Sequence, residues 1–218
     1  MADKMSDKTR RRLPRHVREQ QIIDAAIQVF SKRGYHLAVV DEIAELAGIS
    51  KPMVYLYFGS KEGLFTACIR REGELLTESF ANAARTARDA ESQLWRGLSA
   101  FFGFVAEHRD GWVVLYRQAS EVGGEVAAEV QRQRGEVGAA VASLVASGIA
   151  RTDTSARLAD PEVSFVAMAL VGAADALTDW MAEHPGESPD QVTQRLMSMI
   201  WVGMRNALAG ETWTPPRG

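Results

Sequence analysis

The sequence predicts an all-α protein of about nine helices, with a three-helix N-terminal domain built around a helix-turn-helix and a larger helical domain after it. Three observations predict it. Apolar residues recur every three and four positions through most of the chain, and no segment sustains strand alternation. The boundaries between periodic stretches carry helix-capping residues or glycine and proline. With 218 residues, 46% of them hydrophobic, the chain is long enough to bury both a small core and a larger one.

Residues 1–14 hold Lys4, Lys8, the run Arg10-Arg11-Arg12 and Pro14, and read as a disordered basic arm. Such an arm either enters a minor groove beside a DNA-binding domain or only adds non-specific attraction. Residues 15–61 form the predicted head. Ile23, Ala26, Ile27 and Phe30 make one apolar helical face that ends at Gly34. Ile43, Ala44, Leu46 and Ala47 are expected to form a second, short buried helix, after which Gly48 supplies a tight turn into Ser50. Ser50 is the expected N-cap of a third helix, and a capped helix after such a turn is built to lie in a DNA major groove.

On that third helix Val54 and Phe58 are four apart and can face inward, which leaves Lys51, Pro52, Met53, Tyr55, Leu56 and Tyr57 on the outside. Exposed tyrosines and large apolar side chains on so short a helix are costly unless they meet a partner. Nucleic acid fits that pattern best. Net charge is −3, yet its distribution favours the same reading. Residues 1–61 hold 11 Lys and Arg against 7 Asp and Glu, including all five lysines, while residues 62–218 hold 14 against 21. An acidic body with a basic end directs DNA to that end.

The order Ala25-Ala26, Phe30, Gly34-Tyr35, Val40, Ile43-Ala44, Ala47-Gly48-Ile49-Ser50, Tyr55, Tyr57-Phe58, Ser60-Lys61 and Leu64-Phe65 resembles the TetR family of bacterial transcriptional regulators. The likeness implies DNA contacts from Val39, Ser50, Lys51, Pro52, Met53, Tyr55, Leu56, Tyr57 and Lys61. It departs from the family at Ala38 and Val39, where Thr or Ser is usual. A hydroxyl at position 39 would form a capping box with Glu42 and leave helix-terminal amides near a phosphate. Val39 cannot, so either the second helix starts elsewhere, near Asp41, or one phosphate contact is weaker.

Residues 62–218 are expected to form the helical body. Helices are predicted from Lys61 to about Arg88, from about Ser92 to His108, and from Asp110, as N-cap, to about Val122. Another runs from about Glu125 to Arg151, with Gly135 and Gly138 as weak points. The last two open at Asp160-Pro161 and Ser188-Pro189 and end at His184 and Gly210. Both are apolar around most of their circumference. Ala169, Gly172, Ala173 and Ala176 would permit close approach, with Leu196, Met199, Ile200 and Trp201 as bulk, so a homodimer interface is expected there, as the family likeness also implies.

The body is rich in aromatic and methionine side chains, and the likeness implies a small-molecule effector within it. Trp95, Phe102, Trp112, Tyr116, Phe165 and Met168 are the candidate lining of a largely hydrophobic cavity. Asp175, a carboxylate amid Val171, Ala174 and Leu177, is expected to face solvent, cross the dimer interface to an arginine, or orient a polar ligand group. The chain lacks Cys clusters, HxxxH, HExxH, GxSxG, Walker and dinucleotide motifs, so no metal, no cofactor and no catalytic residue is expected. Its single cysteine, Cys68, fits a reduced cytoplasmic protein. Asp, Arg or Gly interrupts every long apolar run, so no membrane partner is expected.

The expected function is a homodimeric repressor that binds an inverted-repeat operator in double-stranded DNA and is released by its effector. The alternatives are an activator or ligand-independent regulator, and, from another class, a helical enzyme with a basic head.

Overall fold

The computed structural model describes residues 14–85, 87–114, 122–150, 160–208 and 214–215, with the backbone alone at 84, 148–150, 160–161, 204–205 and 207–208. The basic arm before Pro14 and Tyr116 therefore lie outside the described residues. α1 (Arg15–Leu37) buries Ile22, Ile23, Ala26, Ile27 and Phe30 on the face its periodicity marks. Its helical geometry breaks at Gly34, which takes φ 76° and turns the chain. α2 (Val40–Leu46) follows, and Gly48 at φ 65° closes the turn with its N–H on the Glu45 carbonyl while the Ile49 N–H reaches Ala44. α3 (Lys51–Phe58) and α4 (Lys61–Arg85) complete the head.

Phe30 and Phe65 pack edge to face at 4.8 Å in the centre of the head, and Leu64, Cys68 and Ile69 are fully buried beside them. The first half of α4 thus belongs to the core of the head, which runs past residue 61. Each such fully buried side chain contributes about 1.5–3 kcal/mol of apolar transfer, so these residues fix where α2 and α3 sit. Leu46 departs from expectation: it is exposed, and the buried turn of α2 comes from Val40, Ile43 and Ala44.

The body comprises α5 (Ala90–Glu107), α6 (Arg109–Trp112), α7 (Gly124–Ala150), α8 (Asp160–Glu183) and α9 (Pro189–Leu208). Two expected starts move. The carboxylate of Asp89 accepts from the Ser92 N–H at 2.7 Å and caps α5, which places the start earlier than Ser92, and α6 starts after His108, whose carbonyl takes the Trp112 amide, with Asp110 inside its first turn. Ser188 and Gln191 exchange hydrogen bonds in a capping box that opens α9. α7 runs through Gly135 and Gly138 unbroken. α4 packs on α5 and α7, α5 on α9, and α7 on α8, around Leu76, Phe80, Phe101, Phe102, Trp112 and Leu196.

Two carboxylates of the interior meet arginines, one partly across helices and one within its own helix. Glu129 on α7 accepts from Arg70 on α4 and from Arg132 and Gln133 on its own helix. The hydrogen bond from Arg132 outweighs burial and holds the Glu129 carboxyl down at about 2. Glu72 on α4 accepts two bonds from Arg71, whose guanidinium also reaches Asp24 on α1. A Cβ at Gly111 would overlap the Glu72 carboxylate, so any larger residue there would have to displace that side chain.

α8 turns Ala167, Leu170, Ala174 and Thr178 inward, a spacing that leaves Phe165, Met168, Ala169, Gly172 and Ala176 outward. On α9 Val192, Thr193, Leu196 and Met197 face in, while Met199 and Val202 face out. The stretch Glu162–Glu183 has the length and mean hydropathy, 1.4, of a bilayer span, which corrects the expectation that no run reaches it. Gly172 and the acids Asp175 and Asp179 interrupt the apolar run without lowering its average enough. The exposed small and apolar face raises that average, and 22% of the window is buried.

Candidate nucleic-acid interface

α3 projects from the head because only one of its residues is fully buried. Val54 anchors it to the core, Phe58 and Tyr57 pack partly against the same core, and Lys51, Pro52, Met53, Tyr55 and Leu56 are exposed. Leu56 is 72% exposed. That side chain gains nothing from the fold in this position, and with Met53 and Tyr55 it forms an apolar surface at the tip of the head.

Ser50 stands at the N-cap of α3, but its side chain makes no capping hydrogen bond; its carbonyl takes the Met53 and Val54 amides instead. Val39 is the N-cap of α2, extended and exposed, likewise without a side-chain cap. The second helix therefore starts where a Thr or Ser cap would start it, and not near Asp41. At this helix start the Val39 carbonyl takes the Ile43 amide.

Ion pairs organise the cations around α3. Lys51 Nζ donates to Asp41 Oδ2 at 2.8 Å, and this bond holds the amine above its ordinary pKa. Arg33 meets Glu42 at 3.4 Å. Arg15 lies over the Tyr57 ring at 5.3 Å and fixes that ring from the α1 side. Lys61 is half-buried, donates to the His36 carbonyl at 3.3 Å and lies over the Tyr35 ring; its burial lowers its pKa. Of the expected DNA-contact residues, Val39, Ser50, Lys51, Pro52, Met53, Tyr55 and Leu56 are exposed, while Tyr57 and Lys61 are half-buried. The sequence reading missed Asp41 as the partner of Lys51. Their opposite charges, at the starts of two consecutive short helices, were the available signal.

The residues expected at an effector cavity are not brought together. Trp95 lines an open cleft of about 600 Å³ between α5 and α9, with Arg96, Met197, Trp201 and Val202. Phe102 and Trp112 are buried in the body core, each in edge contact with Phe101. Phe165 and Met168, 75% and 73% exposed, stand on the outer face of α8 with the small residues expected at a dimer interface. Asp175 is half-buried; desolvation raises its pKa, and Arg134 partly offsets this.

The expected dimer set also divides. Ala169, Gly172, Ala176 and Met199 are exposed, Ala173 and Ile200 pack partly against their own core, and Leu196 is only 3% exposed within it. Leu196 corrects the expectation, since its helix face is taken up by α5. Among the described residues no group of three or more His, Cys, Asp or Glu is placed to hold a metal ion.

Residues 22–68 match the family model of bacterial regulatory proteins of the tetR family, and residues 90–203 match that of the tetracyclin repressor-like C-terminal domain. The HTH-type transcriptional activator FasR of Mycolicibacterium smegmatis is 30% identical over 194 residues, covering 88% of this chain and 85% of that protein. The crystal structure of a TetR-like transcriptional regulator from Rhodococcus sp. RHA1 superposes with a TM-score of 0.71 at 41% identity, covering 89% of this chain and 99% of that one. FadR from Bacillus subtilis, in complex with stearoyl-CoA, shares the fold at a TM-score of 0.71 and 21% identity, over 83% of this chain and 96% of that one.

Proposed function

Since the chain belongs to the TetR family of bacterial regulatory proteins, and is a DNA-binding regulator of transcription, we propose that it works as a homodimer released from an inverted-repeat operator by a small, largely hydrophobic ligand. The observation that carries the DNA-binding half is α3, with Lys51 at its start and Met53, Tyr55 and Leu56 uncovered along its length. Lys51 donates to base edges, the apolar groups meet thymine methyls, and Tyr57 and Lys61 hold phosphates.

The dimer is supported by the outward apolar face of α8 and α9, where Phe165, Met168 and Met199 are exposed with Ala169, Gly172 and Ala176. Small residues let two copies approach closely while the large ones interdigitate, and covering so large an apolar face is favourable. Phe165 and Met168 are assigned to this face.

The ligand class is an acyl chain or its thioester. The Trp95 and Trp201 cleft offers apolar surface and Arg96 beside the polar Glu91, Ser92, Gln194 and Ser198, and the FadR structure of the same fold holds stearoyl-CoA. Ligand binding shifts the swing of the two heads through α4, so that they no longer match two half-sites. Release derepresses if the operator overlaps a promoter and silences if the operator lies upstream of it. Repression is the first reading; activation is the second, favoured by the activator FasR aligning over most of the chain. A reporter driven by the chain's own operator, with and without the gene for this protein, separates the two. Higher expression without the protein means repression, and lower expression means activation.

A further inference from the structure

Asp41 and Lys51 form an acceptor and a donor side by side on the DNA-facing end of the head. Asp41 lies in the first turn of α2 and Lys51 opens α3; both side chains are exposed, at 67% and 44%. The Nζ to Oδ2 distance is 2.8 Å. Lys51 is the one charged residue of α3. A carboxylate at a DNA interface is repelled by phosphates and loses water, so the acceptor sites that Lys51 leaves open on Asp41 need a donor there. In the major groove the base-edge donors are cytosine N4 and adenine N6.

We propose that the Asp41–Lys51 pair reads one base pair as a unit, with Lys51 donating to a keto oxygen and Asp41 accepting from the amino group paired to it. The spacing fits. Guanine O6 and cytosine N4 are joined by a Watson–Crick hydrogen bond, which sets them about 2.9 Å apart, close to the separation of Nζ and Oδ2. Each keeps one free site facing the groove. A G·C pair, or T·A with thymine under Lys51, therefore matches the doublet. C·G and A·T present a donor to Lys51 and an acceptor to Asp41, and are excluded. Guanine adds N7 as a second acceptor for Lys51, which ranks G·C above T·A. Asp41 is thus a specificity residue. This inference rests on the proposed seating of the N-terminus of α3 in the major groove.

The test begins with selection of randomised duplex DNA by the wild-type chain and by Lys51→Ala. The base pair whose preference disappears in Lys51→Ala is the one Lys51 touches. Four duplexes, differing only at that pair in both half-sites, are then titrated with wild type, Asp41→Ala and Asp41→Asn at one salt concentration. Wild type should bind G·C and T·A at least about tenfold more tightly than C·G and A·T, the size of one good base contact. Asp41→Ala should recover most of that loss for A·T, because adenine N7 alone can accept from Lys51. Asp41→Asn, whose amide can donate to the keto oxygen the carboxylate cannot meet, should relieve the loss for A·T, where adenine N7 still accepts from Lys51, and not for C·G, where Lys51 faces only the cytosine amino group. An equal change on all four duplexes would overturn the doublet and leave Asp41 as a charge that merely neutralises Lys51. If no pair loses its preference in Lys51→Ala, the doublet is also wrong. The seating of α3 is judged separately, by whether wild type enriches any sequence at all.

Discussion

The Lys61 ammonium lies 4.7 Å from the centre of the Tyr35 ring and 3.3 Å from the His36 carbonyl, so the first residue of α4 is tied to the end of α1. α3 lies between these two tied elements in the chain. Lys61→Ala should weaken binding to all DNA sequences about equally and flatten the salt slope by about one unit. It should also cost about 0.5–1 kcal/mol of stability through the lost cation–π contact. Anisotropy titrations over a salt series, with urea melts alongside, check both effects. A change confined to one base pair would mean that Lys61 reads sequence.

The outward face of α8 predicts how the dimer is broken. Gly172→Glu and Phe165→Glu place a charge on a surface that the single chain leaves open, so each variant should fold. Sedimentation at micromolar concentration should show about twice the chain mass of 23.9 kDa for wild type and the single mass for the variants. A wild-type monomer would remove the dimeric model.

A long-chain acyl thioester should protect amides of α5 and α9 in hydrogen exchange and lower operator affinity through the linkage between the two sites. Arg96→Ala should weaken the thioester more than the free fatty alcohol, if the arginine meets the anionic end. Protection restricted to α1–α3 would mean that the ligand enters the head instead.

Glu129 predicts an acid transition. Its carboxyl is held at about 2 in the folded chain, below the ordinary value of 4.5, by Arg132, with Gln133 and Arg70 assisting against burial. A depressed folded pKa stabilises the fold above the unfolded value, and that contribution is lost as pH falls from about 4.5 towards about 2. Glu129→Gln should lower stability near neutral pH by about 1–3 kcal/mol and flatten the pH dependence in that window. Urea midpoints at several pH values decide it. Unchanged pH dependence in the variant would show that other carboxylates carry the transition.

The head was legible because its helices are two-faced. Ile23, Ala26, Ile27 and Phe30 repeat on one side of α1, and all four are buried. Val54 is the one fully buried residue of α3, so the uncovered positions follow from helix geometry alone. The outer helices were legible as helices and not as faces. α8 and α9 are apolar nearly all round, and a pattern without a polar side cannot say which apolar side turns in. That is why Leu196 lies inside while Phe165 and Met168 lie outside. The pairing of Asp41 with Lys51 depends on how the turn at Gly48 folds one helix over the next, which periodicity does not record.

If the uncovered face of α3 reads a two-fold operator, uracil substitution in that operator has a defined cost. Wild type should select an inverted repeat with half-site centres about one helical turn, or a multiple of it, apart. Uracil for thymine removes one methyl and keeps the pairing. It should cost on the order of 1 kcal/mol for each methyl met by Met53 or Leu56, close to a buried CH₂. The double variant Met53→Ala, Leu56→Ala should be indifferent to the change. Equal affinity of the wild type for the thymine and uracil operators, or selection of an asymmetric site, would contradict the account.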